Sequence, residues 1–128
     1  MTAWPQPFDL AATLTCGQCF RWKRNADGSF SGVAGGRMLT VSPQSAGDAL
    51  GDPFWRRYFD LESDYAAICA GLAAQNPVLA AALAEAPGVR ILRQDPWEAL
   101  CTFILSQNNN IPRITGIVER LCACFGDP

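Results

Sequence analysis

Three short segments near the N-terminus constrain the fold most, because the first alternates apolar and polar residues and turn residues separate all three. The segments are 19–23, 30–33 and 38–41, and the turns are Asn25-Ala26-Asp27-Gly28 and Gly35-Gly36. Alternation with a period of two, interrupted by glycine turns, predicts an antiparallel meander. Phe20 and Trp22 are expected on one face of this sheet, which requires a cover from the helices that follow. The prediction is an α+β fold.

Helix starts follow the predicted sheet. Asp52-Pro53, Asp60 to Asp64 and Asn76-Pro77 each place an N-cap residue type near proline or acidic first-turn residues. Aromatic residues between 54 and 59 have helical spacing and are interpreted as packing against the sheet. Pro77 and Ala86-Pro87-Gly88 divide the Ala- and Leu-rich stretch into two helices, and Arg90 to Arg93 follows as a final strand or an extended entry segment.

The most complete helix start is Asp95-Pro96-Trp97-Glu98. Asp95 can accept from the amide of the third helical residue, Pro96 fits the first helical position, and Glu98 can return to the cap amide, which forms a capping box. The helix after it is apolar nearly all round, so it is predicted to lie in the middle of a helical domain. Pro112 then starts a further helix that ends near Gly126.

Between these two helices lies a row of side-chain amides followed by an arginine, Ser106 to Arg113. Amides cap helices, but they also bond base edges, and arginine can do so bidentately. A cation in the first turn of a helix is unfavourable by about 0.3 to 1 kcal/mol, so Arg113 could have an external base or anionic partner. Solvation, or pairing with a nearby carboxylate, is the alternative, and the residues alone leave both open.

Overall charge argues against sequence-independent clamping of a phosphate backbone. The 128 residues, 49% hydrophobic, suit one domain or a small domain plus the beginning of another, and their formal net charge is -2. Basic residues are locally concentrated between positions 20 and 37, where Arg21, Lys23, Arg24 and Arg37 oppose only Asp27. That patch is either a nucleic-acid contact or a solvated strand face.

The N-terminal residues form no signal peptide, and no apolar run approaches the length of a membrane span. The expected location is therefore cytoplasmic, or nuclear in a eukaryote. The six cysteines are then expected to be reduced. Cys16 and Cys19 have a spacing that suggests redox or metal chemistry, but zinc would need two further ligands and the chain has no histidine. No metal, cofactor or membrane partner is expected.

Two separated parts of the chain resemble one family. Leu92 to Pro96, the apolar helix, Asn108-Asn109-Asn110-Ile111 and the run Arg113 to Cys122 resemble the 8-oxoguanine DNA glycosylases of the helix-hairpin-helix superfamily. The run Gly17 to Trp22 resembles the first strand of their N-terminal domain. The resemblance implies an antiparallel twisted sheet with covering helices, like the TATA-binding-protein fold, over residues 1–90, and the first helices of the glycosylase domain over 91–128.

Roles for individual residues follow from the resemblance. Asn108 would enter the gap left when 8-oxoguanine is flipped out of damaged double-stranded DNA, and Arg113 would donate to the cytosine left behind. The carbonyl of Gly17 would accept from the N7 hydrogen of 8-oxoguanine, where normal guanine has an acceptor. Asn109 and Asn110 would hold the junction in shape. For Gly17, a plain turn glycine before a strand is the alternative.

The chain also departs from the family. A complete member uses a lysine nucleophile and an aspartate that follow the helix-hairpin-helix motif, and it then cleaves the strand as an AP lyase. Lys23 is the only lysine of this sequence, it lies in the meander, and no aspartate matches the catalytic one. We expect recognition without excision, no catalytic residue in this chain, and the rest of the glycosylase domain as a missing partner. Apolar faces between residues 97 and 125 would then be exposed and promote association.

The residues are also consistent with two functions of other classes. The chain could be a stand-alone or degenerate module that binds DNA or protein without catalysis. It could also be a redox or metal protein that uses Cys16 and Cys19.

Overall fold

The computed structural model describes residues 3–127. One three-stranded sheet and six α-helices make up the regular structure of these residues, with a short 3-10 turn at Gly47–Leu50. In chain order the elements are α1 (Leu10–Thr15), β1 (Trp22–Arg24), β2 (Phe30–Ala34), β3 (Arg37–Val41), α2 (Pro53–Tyr58), α3 (Tyr65–Gln75), α4 (Pro77–Glu85), α5 (Pro96–Leu105) and α6 (Ile111–Phe125). The predicted α+β fold is confirmed.

The sheet is the predicted meander. Strands β1, β2 and β3 pair antiparallel in chain order, with Trp22 opposite Gly32 and Gly32 opposite Leu39. A side chain at Gly32 would not fit, because a Cβ atom there would lie 2.2 Å from Cδ2 of Trp22. The indole therefore lies directly over the backbone of β2.

Helix α2 covers this face of the sheet with aromatic rings, as its spacing predicts. Trp55, Tyr58 and Phe59 are buried together with Trp22, whose ring centroid lies 6.0 Å from that of Trp55. The buried indole Nε1 of Trp22 donates to the Tyr58 hydroxyl at 2.9 Å. This bond satisfies a polar group that the core would otherwise leave unpaired.

Phe20 does not share this core, which corrects the expectation that it lies beside Trp22. It packs instead with Ile114 and Val118 of α6 and with the partly buried Leu105 of α5. Phe20 precedes the first residue of β1, so the alternation of faces along a strand does not apply to it. This small second cluster holds α6 against the sheet-bearing part of the chain.

The predicted helix starts are present, with one change. The side chains of Asp52, Asp64, Asn76 and Asp95 each accept from an amide in the first turn of the helix that follows. Within residues 3–127, however, no hydrogen bond joins Glu98 to the Asp95 amide. Glu98 instead accepts from Nη1 of Arg21 at 3.3 Å, because the approach of α5 to the sheet places a guanidinium within its reach.

Of the two conformations predicted for Arg90 to Arg93, a final strand or an extended entry segment, the structure has the second, and the segment pairs with no strand among the described residues. Its amides are satisfied by groups distant in sequence: that of Leu92 donates to Oε1 of Gln18 at 3.0 Å, and that of Arg93 to the Tyr58 carbonyl at 2.9 Å. The Arg90 amide donates to Oγ1 of Thr13. This segment thereby ties α1 and α2 to the start of α5.

Helix α1 was not among the predicted elements. It begins after Asp9, which caps the Ala12 amide, and it buries Leu10, Thr13 and Leu14. An Asp followed by leucines four positions apart is the local signal for this short helix.

Helix α5 is more exposed than its apolar sequence predicts. Only Thr102 is buried, whereas Trp97 is 72% exposed and Phe103 65% exposed. Among the described residues α5 is covered by α6 and the sheet-bearing part on one side alone. The domain boundary near residue 90 stays a prediction. No helix between residues 3 and 127 is long and apolar enough to span a membrane.

Candidate nucleic-acid interface

The junction between α5 and α6 is organised by two of its three asparagines. Asn110 is the N-cap of α6, and its Oδ1 accepts from the Arg113 amide at 3.1 Å. Asn109 donates from Nδ2 to the Leu105 carbonyl at 3.0 Å and accepts from the Asn110 amide at 3.0 Å. Both side chains are therefore engaged within the junction itself.

Asn108 and Arg113 are different from these neighbours. Both are exposed, and neither side chain forms a hydrogen bond or ion pair with another of residues 3–127. The backbone of Asn108 has a φ of 51°, in the left-handed region that asparagine tolerates better than most residues. The junction thus presents one amide and one guanidinium to solvent, five positions apart around the start of α6.

The structure brings Gly17 next to this junction. A Cβ atom at Gly17 would lie 3.1 Å from Cδ1 of Ile111, the first residue of α6. Gly17 also has a φ of 91°, which residues with a Cβ rarely adopt. The Gly17 loop and the start of α6, which are far apart in sequence, therefore meet beside the candidate residues Asn108 and Arg113.

A cavity also borders the Gly17 loop. Its volume is about 200 Å³, and its lining combines Gly17, Gln18 and Phe20 with the α5 residues Thr102 and Phe103. Its lining therefore combines two aromatic side chains with the Gly17 loop. Such a lining suits a flat aromatic group whose edge carries polar atoms.

Sequence reasoning missed Gln18, which organises the Gly17 loop. Its Nε2 donates to the carbonyls of Thr13 at 2.9 Å and Arg90 at 2.8 Å, while its Oε1 accepts from the Leu92 amide. The carbonyl of Gln18 accepts in turn from Nε2 of Gln94. No local pattern indicates this role, because the partners lie up to 76 positions away.

The basic patch of the sequence is largely neutralised by ion pairs. Arg21 pairs with Glu98, Lys23 with Glu119 at 2.9 Å, and Arg37 with Asp52 at 3.0 Å. These acidic partners come from other elements, so the charge excess between positions 20 and 37 does not persist as a basic surface. Binding of a nucleic acid here would depend on specific contacts more than on general charge.

The two cysteines with suggestive spacing lie in different environments. Cys16 is exposed, whereas Cys19 is buried and donates to the Leu14 carbonyl. Burial, with smaller contributions from Cys16 and Glu98, raises the pKa of the Cys19 thiol to about 12. A thiol that stays protonated is a poor nucleophile and a poor metal ligand. Within residues 3–127 no three His, Cys, Asp or Glu side chains cluster as metal ligands.

The chemistry available at this surface is hydrogen bonding. It offers the Asn108 amide, the Arg113 guanidinium and the backbone groups around Gly17, beside an apolar cavity wall. The ammonium of Lys23 pairs with Glu119 on the α6 side of the sheet, which leaves it engaged as an ion-pair partner. These groups suit recognition of a polar planar edge.

Comparison with known proteins identifies the family. Residues 2–100 match the family model described as 8-oxoguanine DNA glycosylase, N-terminal domain. The chain is 32% identical over 127 residues to the N-glycosylase/DNA lyase OGG1 of Arabidopsis thaliana, an alignment that covers 86% of this chain and 33% of the relative. The chain therefore spans about a third of the length of this curated relative.

Solved structures agree with the sequence match. The structure of MBOgg1 in complex with a low-affinity DNA ligand superposes with a TM-score of 0.82 at 42% identity, covering 94% of this chain and 44% of that one. The Clostridium acetobutylicum 8-oxoguanine glycosylase/lyase, in complex with double-stranded DNA that carries cytosine opposite 8-oxoG, superposes with a TM-score of 0.72 at 37% identity, covering 84% and 39%. By sequence and by fold, this chain belongs to the 8-oxoguanine DNA glycosylase family.

Proposed function

We propose that this chain is the recognition portion of a base excision repair glycosylase that removes 8-oxoguanine opposite cytosine from double-stranded DNA. The observation that carries the proposal is the meeting of Gly17 with the first residue of α6, beside the exposed Asn108 and Arg113. A lesion, its vacated place in the stack and its partner base require three separate contacts at one surface. These three residues supply them.

Asn108 and Arg113 act on the duplex after the base is flipped out. Flipping costs a few kcal/mol of unstacking and unpairing, which contacts to the distorted duplex offset. The Asn108 amide fills the gap and carries both a donor and an acceptor for the edges that line it. The Arg113 guanidinium donates to acceptors of the orphaned cytosine, so the protein tests which base was paired with the lesion.

Gly17 distinguishes the lesion from guanine by a single hydrogen. Its carbonyl accepts from N7–H of 8-oxoguanine, whereas guanine presents an acceptor at N7. Two acceptors facing each other leave a polar group unpaired, which costs about 1 to 3 kcal/mol when buried. The missing Cβ of glycine allows a flipped base to approach this close to the backbone.

Excision and strand cleavage belong, in this proposal, to a complete family member. They require an activated amine nucleophile, and Lys23 is held by Glu119 on the sheet. The purified 128-residue chain should therefore release no 8-oxoguanine from a duplex that a complete glycosylase processes. Release at a comparable rate, detected by chromatography of the free base, would contradict this part of the proposal.

Substitution of Arg113 tests the recognition role directly. Arg113→Ala should weaken the preference for cytosine over adenine opposite the lesion by about tenfold, because one bidentate contact is worth about 1 to 3 kcal/mol of discrimination. Arg120→Ala is the control, since it removes the same charge from an exposed position on the same helix. Titration of labelled duplexes by fluorescence anisotropy measures both preferences.

Asn108→Ala tests whether the Asn108 amide fills the gap that the flipped base leaves in the DNA. It should weaken binding to the 8-oxoguanine duplex while affinity for an undamaged duplex stays nearly constant. If neither Asn108→Ala nor Arg113→Ala changed any preference, the chain would be a general DNA or protein interaction module instead.

A further inference from the structure

We propose that Gln18 is a positioning residue for lesion discrimination, because its side chain holds the Gly17 carbonyl in the orientation that meets the base. This inference rests on the proposed function of Gly17 and adds the residue on which its geometry depends. Gln18 itself makes no contact with the base in this scheme. It acts through the peptide that it shares with Gly17.

The side chain of Gln18 connects three parts of the chain. Nε2 donates to the carbonyl of Thr13 in α1 at 2.9 Å and to the carbonyl of Arg90 at 2.8 Å. Oε1 accepts from the amide of Leu92 at 3.0 Å. These three partners are backbone groups, and both Thr13 and Arg90 are buried, so their positions are fixed by the core. Nε2 also lies 3.6 Å from Sγ of Cys16, a weaker acceptor at the surface.

The backbone of Gln18 is held as well. Its carbonyl accepts from Nε2 of Gln94, which lies directly before the N-cap of α5. Side chain and backbone together attach this residue to the whole entry segment of the helical part. The loop around Gly17 is thereby anchored on its C-terminal side.

Anchoring Gln18 decides where the Gly17 carbonyl points. The carbonyl of Gly17 and the amide of Gln18 belong to one rigid, planar peptide unit. Gly17 has no Cβ to restrict its own dihedral angles, so this peptide plane is set from the Gln18 side. Without an anchored neighbour, the Gly17 carbonyl could rotate away from N7–H of the base. The hydrogen bonds of Gln18 prevent this rotation.

Only an amide side chain meets all three partners. Two carbonyl oxygens require a donor, and one N–H requires an acceptor, at the end of a single side chain. Glutamate has nearly the same shape but would direct a carboxylate at the Thr13 and Arg90 carbonyls. Protonation of that carboxylate restores one donor, so Gln18→Glu carries a defect that acid partly reverses.

The experiment compares Gln18→Glu with a matched control, Gln75→Glu, which makes the same change at an exposed position in the last turn of α3. Dissociation constants for duplexes with 8-oxoguanine or guanine opposite cytosine are measured at about pH 8 and about pH 5.5. The readout is the dissociation constant for the guanine duplex divided by that for the 8-oxoguanine duplex. This ratio measures preference for the lesion and cancels general effects of pH on DNA binding. Circular dichroism confirms that each variant is folded.

The inference predicts that Gln18→Glu lowers this ratio by about fivefold or more at the higher pH, with partial recovery at the lower pH. Affinity of Gln18→Glu for the guanine duplex should stay within about twofold of wild type, and Gln75→Glu should match wild type throughout. A wild-type ratio retained by Gln18→Glu would overturn the inference and leave the proposed function intact. Equal loss of affinity for both duplexes, without recovery in acid, would also overturn it, because that is the signature of a general structural defect. A wild-type protein without lesion preference would overturn the proposed function, and this inference with it.

Discussion

Gly17 combines two constraints that single-residue substitutions can separate. Its φ of 91° disfavours any residue with a Cβ, and the Ile111 side chain lies 3.1 Å from where that Cβ would be. Gly36, in the turn between β2 and β3, has a φ of 70°, but a Cβ atom there would meet nothing within 4 Å. The pair therefore distinguishes backbone strain from contact with α6.

Gly17→Ala is expected to destabilise the protein by more than Gly36→Ala, for which backbone strain alone predicts about 1 kcal/mol. It should also abolish most of the preference for 8-oxoguanine over guanine, while Gly36→Ala leaves that preference unchanged. Urea unfolding and duplex titration measure the two effects. Equal effects of the two variants on stability and on the preference for 8-oxoguanine would contradict a recognition role for Gly17.

Cys19 predicts a dependence of stability on alkaline pH. Burial raises the pKa of its thiol from 9.0 to about 12 in the folded protein. Above about pH 9 the unfolded chain loses this proton while the folded chain retains it, so the free energy of unfolding falls as pH rises towards 12 and is fully maintained below 9. One such proton gives a slope of at most about 1.4 kcal/mol per pH unit.

Cys19→Ala should therefore reduce the slope of stability against pH between about pH 9 and 10, whatever it costs in packing at neutral pH. Tyr58, whose pKa burial also raises, contributes at higher pH in both proteins. Cys122→Ala removes an exposed thiol and is the control. Denaturation curves with reductant across this range provide the measurement, and an unchanged slope in Cys19→Ala would contradict the assignment.

At the scale of elements, local chemistry was sufficient to predict most boundaries. Turn residues and alternation predicted the meander. Asp52, Pro77 and Asp95 predicted helix starts, because each acts on the chain within a few positions of itself. The pairing of Glu98 with Arg21 and the displacement of Phe20 onto α6 were not predictable in this way. Both depend on how distant elements approach, which no local pattern contains.

Two asparagine caps allow a matched test of the junction. Asn110 caps α6 and Asn76 caps α4, and each precedes a helix with proline in its first turn. Asn110→Ala and Asn76→Ala should each cost about 0.5 to 2 kcal/mol of stability. Only Asn110→Ala should also weaken binding to the 8-oxoguanine duplex, since α4 contributes no buried residue and lies outside the interface. Equal effects of the two variants on DNA binding would show that the cap serves stability alone.

At the scale of the whole molecule, two networks of side-chain to backbone hydrogen bonds join segments that are distant in sequence. Gln18 joins α1 to the segment before α5, and the buried guanidinium of Arg90 donates to the carbonyls of Asp60 and Pro7. Neither role was visible in the sequence, because the partners are backbone groups brought together only by the fold. The candidate residues Gly17, Asn108 and Arg113 were identified by family resemblance, and the structure adds their spatial relation.

The exposed apolar side chains of α5 and α6 predict association. Trp97 and Phe125 are 72% and 85% exposed. Replacing both with serine should lower the weight-average mass seen by sedimentation at high protein concentration, because contiguous apolar patches drive contact between molecules. Met38→Ser is the control, since Met38 is 79% exposed on β3, outside the helical pair. Equal association of all three proteins would contradict this expectation.

The most direct test of lesion recognition is competitive binding of the unmodified 128-residue protein to two duplexes that differ only in 8-oxoguanine or guanine opposite cytosine. One acceptor-to-acceptor clash of about 1 to 3 kcal/mol predicts at least about fivefold tighter binding of the lesion duplex. Equal affinity for the two duplexes, with the protein folded, would contradict the proposal that this surface recognises 8-oxoguanine.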